Sequence, residues 1–391
     1  MIILLAPILI TALAVLSLLL LLLRRWRSAC VALLLTLALN ACLEQVPLHL
    51  PTLSIIARPS APSVPVSDSA WSPLSSDSIP VSDRAWSPLS SDSVPVSDHA
   101  WSPSIQVARP ASLRVLEYNI CGKVEYVPQH GRPFLDYIRS VDADVVFLPE
   151  NCIGTCWALD SLLRAMYPHS LRDFPEFVQS IPQYPDLTLY CRYPLTSYRR
   201  YRLSLDELQA ENPFMTPDEL KRQGADLMAF EVTADVHGRP VTFLHLHLRT
   251  NGVEGAKDGA RGRRSLVRRL YDGLRFGYAF RAKEAEVIAD SLRDCPHPLL
   301  IAGDFNDLSG SYALRAIQDA RHDNADLHHR DRLRDAWWEG GFGYGFTFDD
   351  QHLLLRLDHI LYSQEFQLLD VSAPAVPFSD HRPLIADFVL R

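Results

Sequence analysis

Phe378-Ser379-Asp380-His381-Arg382-Pro383-Leu384, close to the C-terminus, is the stretch on which the reading of this chain turns. It follows Gly303-Asp304-Phe305-Asn306 and Arg356-Leu357-Asp358-His359-Ile360, and each of the three sets acidic, amide or imidazole groups where an apolar run stops. Strand ends are where packed sheets open to solvent, so three such ends point to one convergent site. Carboxylates, an amide and imidazoles are the ligands and proton carriers of a metal-dependent phosphoester hydrolysis. They name a reaction class and leave the substrate open.

Working outward, the apolar strands that feed these ends lie within residues 111–391, which read as one globular unit of about 280 residues, ample for a large core. Leu113–Asn119 alternates like a half-buried strand and stops on Asn119. Val145-Val146-Phe147-Leu148-Pro149 is continuously apolar and stops on Glu150. Further strands are expected at Leu187–Cys191, Leu227–Val232, Val241–Leu248, Leu299–Ala302, Leu357–Leu361 and Leu384–Val389. Arg281–Leu292 has helical spacing, with Ala282, Ala285, Ile288 and Ala289 toward one face. Composition alone yields mixed α/β.

The ordered set Asn119, Glu150, His247-Leu248, Gly303-Asp304-Phe305-Asn306, Leu357-Asp358-His359 and Ser379-Asp380-His381 resembles the endonuclease/exonuclease/phosphatase, or DNase I-like, superfamily. Each motif is weak alone, and six in this order are specific. The resemblance implies a four-layer α/β sandwich, two packed mixed β-sheets with helices outside. It also implies that His381 is the central catalytic imidazole, oriented by Asp358, and that His247 rather than His245 contacts phosphate or transfers a proton. Both histidines share a face of their strand, and His245 reads as a neighbour in the site or a buried, hydrogen-bonded residue.

In-line attack by water on a phosphoester builds negative charge on the phosphoryl and leaving oxygens. A hard divalent ion, Mg²⁺ or Mn²⁺, held by a few oxygens offsets that charge. Glu150 is the expected principal ligand, with Asn119 and Asp380 as secondary ligands, while Asp304 and Asn306 orient the water and a phosphoryl oxygen. Where some relatives carry an acid two places past the first asparagine, this chain has Cys121. Cys152 and Cys156 form a disulfide or stay as two thiols.

Residues 257–283 hold nine Lys and Arg against two acids, anomalous in a chain of net charge −8. Arg263, Arg264 and Arg268 are expected to meet the substrate there, with a solvated helix face as the alternative. The loop Gly340–Thr347 is rich in glycine and aromatics and either stacks on a ligand or packs on its own domain.

The N-terminal region differs in kind. Residues 1–23 are uncharged and span about 34 Å as a helix, enough to cross a bilayer. Arg24, Arg25 and Arg27 follow, then a marginal run at 28–43 of about 24 Å. Both runs inserted as a hairpin export the remainder; the first alone leaves it inside. A processing site at Leu39-Asn40-Ala41-Cys42 again exports it. The expectation is a membrane anchor over residues 1–43 and a catalytic domain outside the cytoplasm. Residues 44–110 are a Pro/Ser-rich linker, in which SVPVSDSAWSPLSSD at 63–77 recurs at 78–92 and, truncated, at 93–103. Two prolines per unit and one large aromatic make an extended spacer.

The whole reads as a membrane-tethered, metal-dependent phosphoester hydrolase acting on nucleic acid, phospholipid or a small phosphoester, with no obligate protein partner. The alternative is a catalytically silent recognition module on the same fold.

Overall fold

The structure is a computed structural model that describes residues 10, 12–19, 26–43, 112–121, 128–151, 157–175, 177, 187–201, 229–250, 266–321, 332–350 and 353–391. The repeat-bearing linker, Cys152, Cys156, Arg263 and Arg264 lie outside these residues.

Two six-stranded mixed sheets form the centre. The first contains β1 (Ser112–Glu117), β2 (Val145–Pro149), β3 (His169–Ser170), β4 (Leu187–Cys191), β13 (Phe366–Ser372) and β14 (Leu384–Leu390), in the order β13-β14-β1-β2-β4-β3. The second contains β5 (Leu195–Tyr201), β6 (Ala229–Val236), β7 (Arg239–His247), β8 (Leu299–Asp304), β9 (Arg334–Asp335) and β12 (Asp358–Tyr362), in the order β5-β6-β7-β8-β12-β9. Each sheet has one parallel pair at its middle, β1 with β2 and β7 with β8, and is otherwise antiparallel. A short hairpin of β10 (Phe348–Asp350) and β11 (Leu353–Leu355) stands apart.

The continuous apolar runs are explained by burial on both faces. Val115, Val145 and Phe147 of the first sheet meet Phe230, Phe243, Ala302 and Ile360 of the second in a shared core. The alternate residues Leu116, Val146 and Leu148 turn outward onto Phe134, Ile138 and Leu163, from the helices Pro128–Val141 and Trp157–Met166. Leu244, Leu246, Ile301 and Leu361 likewise meet Ala285, Ile288 and Leu292 of the helix Leu266–Leu292, and Leu314 and Ile317 of the helix Tyr312–Gln318. The result is helices, sheet, sheet, helices: the expected sandwich.

Two expectations are corrected. The helix expected over Arg281–Leu292 runs from Leu266 to Leu292, and its buried face carries Arg281 and Glu284 while Ala282 and Ala289 are only half-buried. The membrane anchor and external location are not upheld: among the described residues no helix is long and apolar enough to cross a membrane. Of the first apolar run only residues 10 and 12–19 are described, and the helix Trp26–Leu43 is 18 residues, about 27 Å, short of a hydrocarbon core of roughly 30 Å.

Candidate active site

Parallel pairing carries the ends of β1 and β2 to the same edge. The ladder continues past the strands, with Tyr118 N–H donating to the Phe147 carbonyl at 3.0 Å and Ile120 N–H to the Pro149 carbonyl at 3.2 Å. Asn119 and Glu150 are thereby neighbours. Asn119 is fully buried; its Nδ2 donates to Glu150 Oε1 at 3.2 Å and to Asp304 Oδ2 at 3.0 Å, and its Oδ1 accepts from Cys121 N–H at 2.9 Å. Glu150 has a left-handed backbone, φ +54°, unusual for glutamate. Its side chain, 35% exposed, keeps the cluster open to solvent.

The second sheet answers with β7 and β8, where His247 and Asp304 are direct partners in the register. Asp304 Oδ2 is the meeting point: His247 Nε2 lies 3.7 Å from it and His381 Nε2 3.9 Å. His247 Nε2 is also 3.8 Å from Glu150 Oε1. Asp304 Oδ1 accepts from the Asn306 N–H at 2.7 Å, and Asn306 Nδ2 donates to the Leu248 carbonyl at 2.9 Å. Gly303 is required just before this turn, because a Cβ there would run into the Leu246 carbonyl of the neighbouring strand.

Asp358 opens β12, paired with Asp304 across the sheet, and its Oδ2 lies 2.8 Å from His381 Nδ1. That contact fixes the proton on Nδ1 and turns Nε2 toward Asp304. Burial alone would lower the His381 pKa, but the Asp358 carboxylate, helped by Asp304 and Asp380, overrides it and holds the imidazole at about 9. Burial first, then the charge of Asp358, raises Asp304 to about 6 against the pull of His381 and His247. Asp304, Asp358 and His381 could each offer a ligand atom within 4.8 Å of one another. The Nδ1–Oδ2 contact is a hydrogen bond, however, so the three form an acid–imidazole relay more naturally than a cation cage.

The segment around His381 is braced by the glycine-aromatic loop. Thr347 Oγ1 accepts from the Leu357 and Asp358 N–H groups at 3.0 Å, Asp349 N–H donates to the Asp380 carbonyl at 2.8 Å, and the Phe348 ring meets His381 edge-on at 5.1 Å. The loop itself packs on Trp337, whose Nε1 donates to the Gly343 carbonyl at 3.1 Å, while Tyr344 stacks on Phe346. Only Phe342, 66% exposed, is a strongly exposed aromatic of that loop.

Other expected residues fall elsewhere. Asp380 accepts from its neighbour Ser379 and sits 3.7 Å from the Cys121 sulfur. His245 is buried between Phe147 and Phe230, with Nδ1 on the Ala302 carbonyl at 2.9 Å. His359 faces away from Asp358, to Asp335 at 2.7 Å. Arg268 begins the long helix, but its side chain is outside the described residues. Arg281, counted in the basic segment, is fully buried against Asp307 rather than solvated.

One acid escaped sequence reading. Glu117 is fully buried on β1, and burial followed by the charges of Asp358 and Asp304 pushes its carboxyl well above the usual range. Neither Glu117 oxygen has a hydrogen-bond partner among the described residues, so its buried carboxyl faces the charges of Asp358 and Asp304 without a donor to offset them. Alternation carried the signal: Leu113, Val115 and Glu117 share the inward face.

Two packed sheets whose strand ends join acids and imidazoles in this way have the build of a phosphoester hydrolase. Residues 116–381 match the Endonuclease/Exonuclease/phosphatase family, and the chain belongs to it. No curated protein matches at the sequence level. Among solved structures, human Nocturnin's catalytic domain is 18% identical, with 72% of this chain and 96% of that one covered at a TM-score of 0.46. A humanized Danio rerio TDP2 is 15% identical over 71% and 99%, TM-score 0.46. An endonuclease/exonuclease/phosphatase from Beutenbergia cavernae is 19% identical over 72% and 72%, TM-score 0.47. Likeness at this level says nothing about substrate.

Proposed function

We propose that the chain is a divalent-metal-dependent phosphoester hydrolase. The observation that carries the reading is Asp304 Oδ2 flanked by two imidazoles, His247 Nε2 at 3.7 Å and His381 Nε2 at 3.9 Å, the second paired behind by Asp358. Asp304, raised to about 6, is a base at neutral pH with enough basicity to orient and deprotonate a water. His381, held to about 9, is an imidazolium there and meets the negative charge growing on a phosphoryl oxygen. His247 supports the same oxygen or protonates the leaving group, and Asn119 keeps Asp304 and Glu150 apart at a fixed spacing. Asn306 shapes the turn that aims Asp304.

The donors fit a hard cation. Glu150, the open carboxylate, presents an oxygen of the kind that Mg²⁺ or Mn²⁺ takes with water completing the shell, while Asn119 faces it with Nδ2 and would ligate through Oδ1 only with its amide turned over. Glu150 would hold the ion, with Asn119 and Asp380 as secondary ligands. When bound, it supplies positive charge to the phosphoryl oxygens. The substrate is a phosphoester in nucleic acid, phospholipid or a small molecule. Arg263, Arg264 and Arg268 are proposed to meet its phosphates.

The test is hydrolysis by the full chain, with Mg²⁺ or EDTA, of plasmid DNA, RNA, sphingomyelin, phosphatidylinositol phosphates and a bis-aryl phosphodiester. Metal-dependent cleavage lost in folded His381→Ala and Asp304→Ala is the expected result. Inactivity on every substrate together with no Mg²⁺ binding would replace the hydrolase reading with the silent recognition module.

A further inference from the structure

The helix Leu266–Leu292 drives two charged residues into the core beside the site. Arg281 is fully buried and Glu284 nearly so. Arg281 Nε donates to Asp307 Oδ2 at 3.2 Å, its Nη1 donates to the Arg249 carbonyl at 2.8 Å, and its guanidinium lies 4.7 Å over the Tyr278 ring. Glu284 Oε2 accepts from the Arg249 N–H at 2.9 Å. From the opposite side, Leu248 N–H donates to the Asp304 carbonyl at 2.9 Å and the Leu248 carbonyl accepts from Asn306 Nδ2 at 2.9 Å.

The two residues that follow His247 therefore have both of their backbone donors and both of their acceptors engaged. Leu248 is tied to the Asp304–Asn306 turn, and Arg249 to the helix. Arg281 also reaches Asp307, the residue after Asn306, so a single guanidinium spans both loops of the site. A helix that only had to cover the sheet would be apolar at these positions, as it is at Ala285, Ile288 and Leu292. Burying ionisable groups is costly unless each is matched, and here the matching groups are the site's own backbone and turn.

Resting on the hydrolase reading above, we propose that Arg281 and Glu284 are positioning residues that lock the His247 strand end to the Asp304 turn. They touch no reacting atom. They act through the Arg249 backbone and Asp307, keeping His247 Nε2 and Asp304 Oδ2 at their 3.7 Å spacing. The task suits arginine, because a planar fork reaches a carboxylate and a carbonyl at once, whereas a lysine ammonium is a single point.

The experiment uses the full chain with Arg281→Lys, Arg281→Met, Glu284→Gln and Glu284→Ala. Its readouts are kcat and KM on the substrate the wild type cleaves, the melting temperature, and amide hydrogen exchange at Leu248, Arg249 and Asn306. Arg281→Lys and Glu284→Ala are expected to lower kcat about 10- to 100-fold, as a displacement near 1 Å does, with KM within about threefold. Exchange should quicken at those three amides. Glu284→Gln keeps an oxygen acceptor for Arg249 and should recover kcat to within about threefold of wild type. Should Arg281→Met fail to fold, Arg281→Lys and the Glu284 pair decide. Unchanged kcat in folded Arg281→Lys, or equal losses in Glu284→Gln and Glu284→Ala, overturns the proposal. A wild type that cleaves nothing and binds no Mg²⁺ refutes the hydrolase reading instead. In that case local exchange decides the lock: quickened in Glu284→Ala it stands, unchanged it falls.

Discussion

At the scale of the residue, the site's pH behaviour follows from neighbouring charge. In the proposed mechanism Asp304 must be ionised to act as a base and His381 protonated to act as a cation. Activity should therefore rise through about 6 and fall through about 9, a bell in kcat/KM. Bound metal draws the acid limb lower, since positive charge favours the carboxylate. Asp358→Asn removes the charge that holds His381 up and leaves burial, which lowers it, so the alkaline limb should move down by about one unit or more. A limb that stays in place would refute the pairing role. The pair also stabilises the fold. The His381 pKa is raised from 6.5 to about 9, so that contribution is complete below about 6.5 and is lost as pH climbs through 9.

At the scale of the element, the decisive object is the parallel β7–β8 pair. Gly303 lets the strands approach; Gly303→Ala would force them apart exactly where His247 faces Asp304, at a cost of about 2–3 kcal/mol. Denaturant midpoints should show that loss, and activity should fall further than the residual folded fraction accounts for. Elements buried on both faces were legible beforehand, because Val145–Pro149 and Leu299–Ala302 are unbroken apolar runs whose ends announce Glu150 and Asp304. The edge strands β5 and β13 were not among the expected strands, since LTSYRRY and FQLLDVS have one wet face and lack a continuous apolar run. Arg281 was counted in the basic segment, whose alternative was a solvated helix face, and Glu284 drew no reading. What buries them is Asp307 and Arg249, contributed by other segments that helical periodicity does not see. Glu117 was legible in its alternation but not in the charges it faces, which arrive from the other sheet. The apolar N-terminus was read from hydropathy and length alone, and among the described residues no helix reaches the length and apolarity of a span.

At the scale of the whole molecule, the site concentrates acids. Glu117, Glu150, Asp304 and Asp358 share one end of the sandwich, with the Glu117 carboxyl pushed up by burial and the charges of Asp358 and Asp304, and with His247 and His381 set among the others. A divalent cation binding only the folded chain relieves that crowding and stabilises it by mass action, about 2.7 kcal/mol at a hundredfold excess over Kd. Millimolar Mg²⁺ should raise the melting temperature by a few degrees, EDTA should reverse it, and Glu150→Gln should abolish the shift. A wild type insensitive to Mg²⁺ would remove Glu150 as principal ligand.

The one parallel pair in each sheet has a further consequence, for the order of folding. Parallel neighbours need a crossover, and helices supply it in both halves: Pro128–Val141 between β1 and β2, Leu266–Leu292 between β7 and β8. Each crossover unit can assemble from nearby sequence, yet holds half a site, Asn119 and Glu150 in one, His247 and Asp304 in the other. Neither half carries the chemistry. On the proposed mechanism the chemistry needs both faces closed, so a partly folded chain would be inert rather than an unregulated hydrolase.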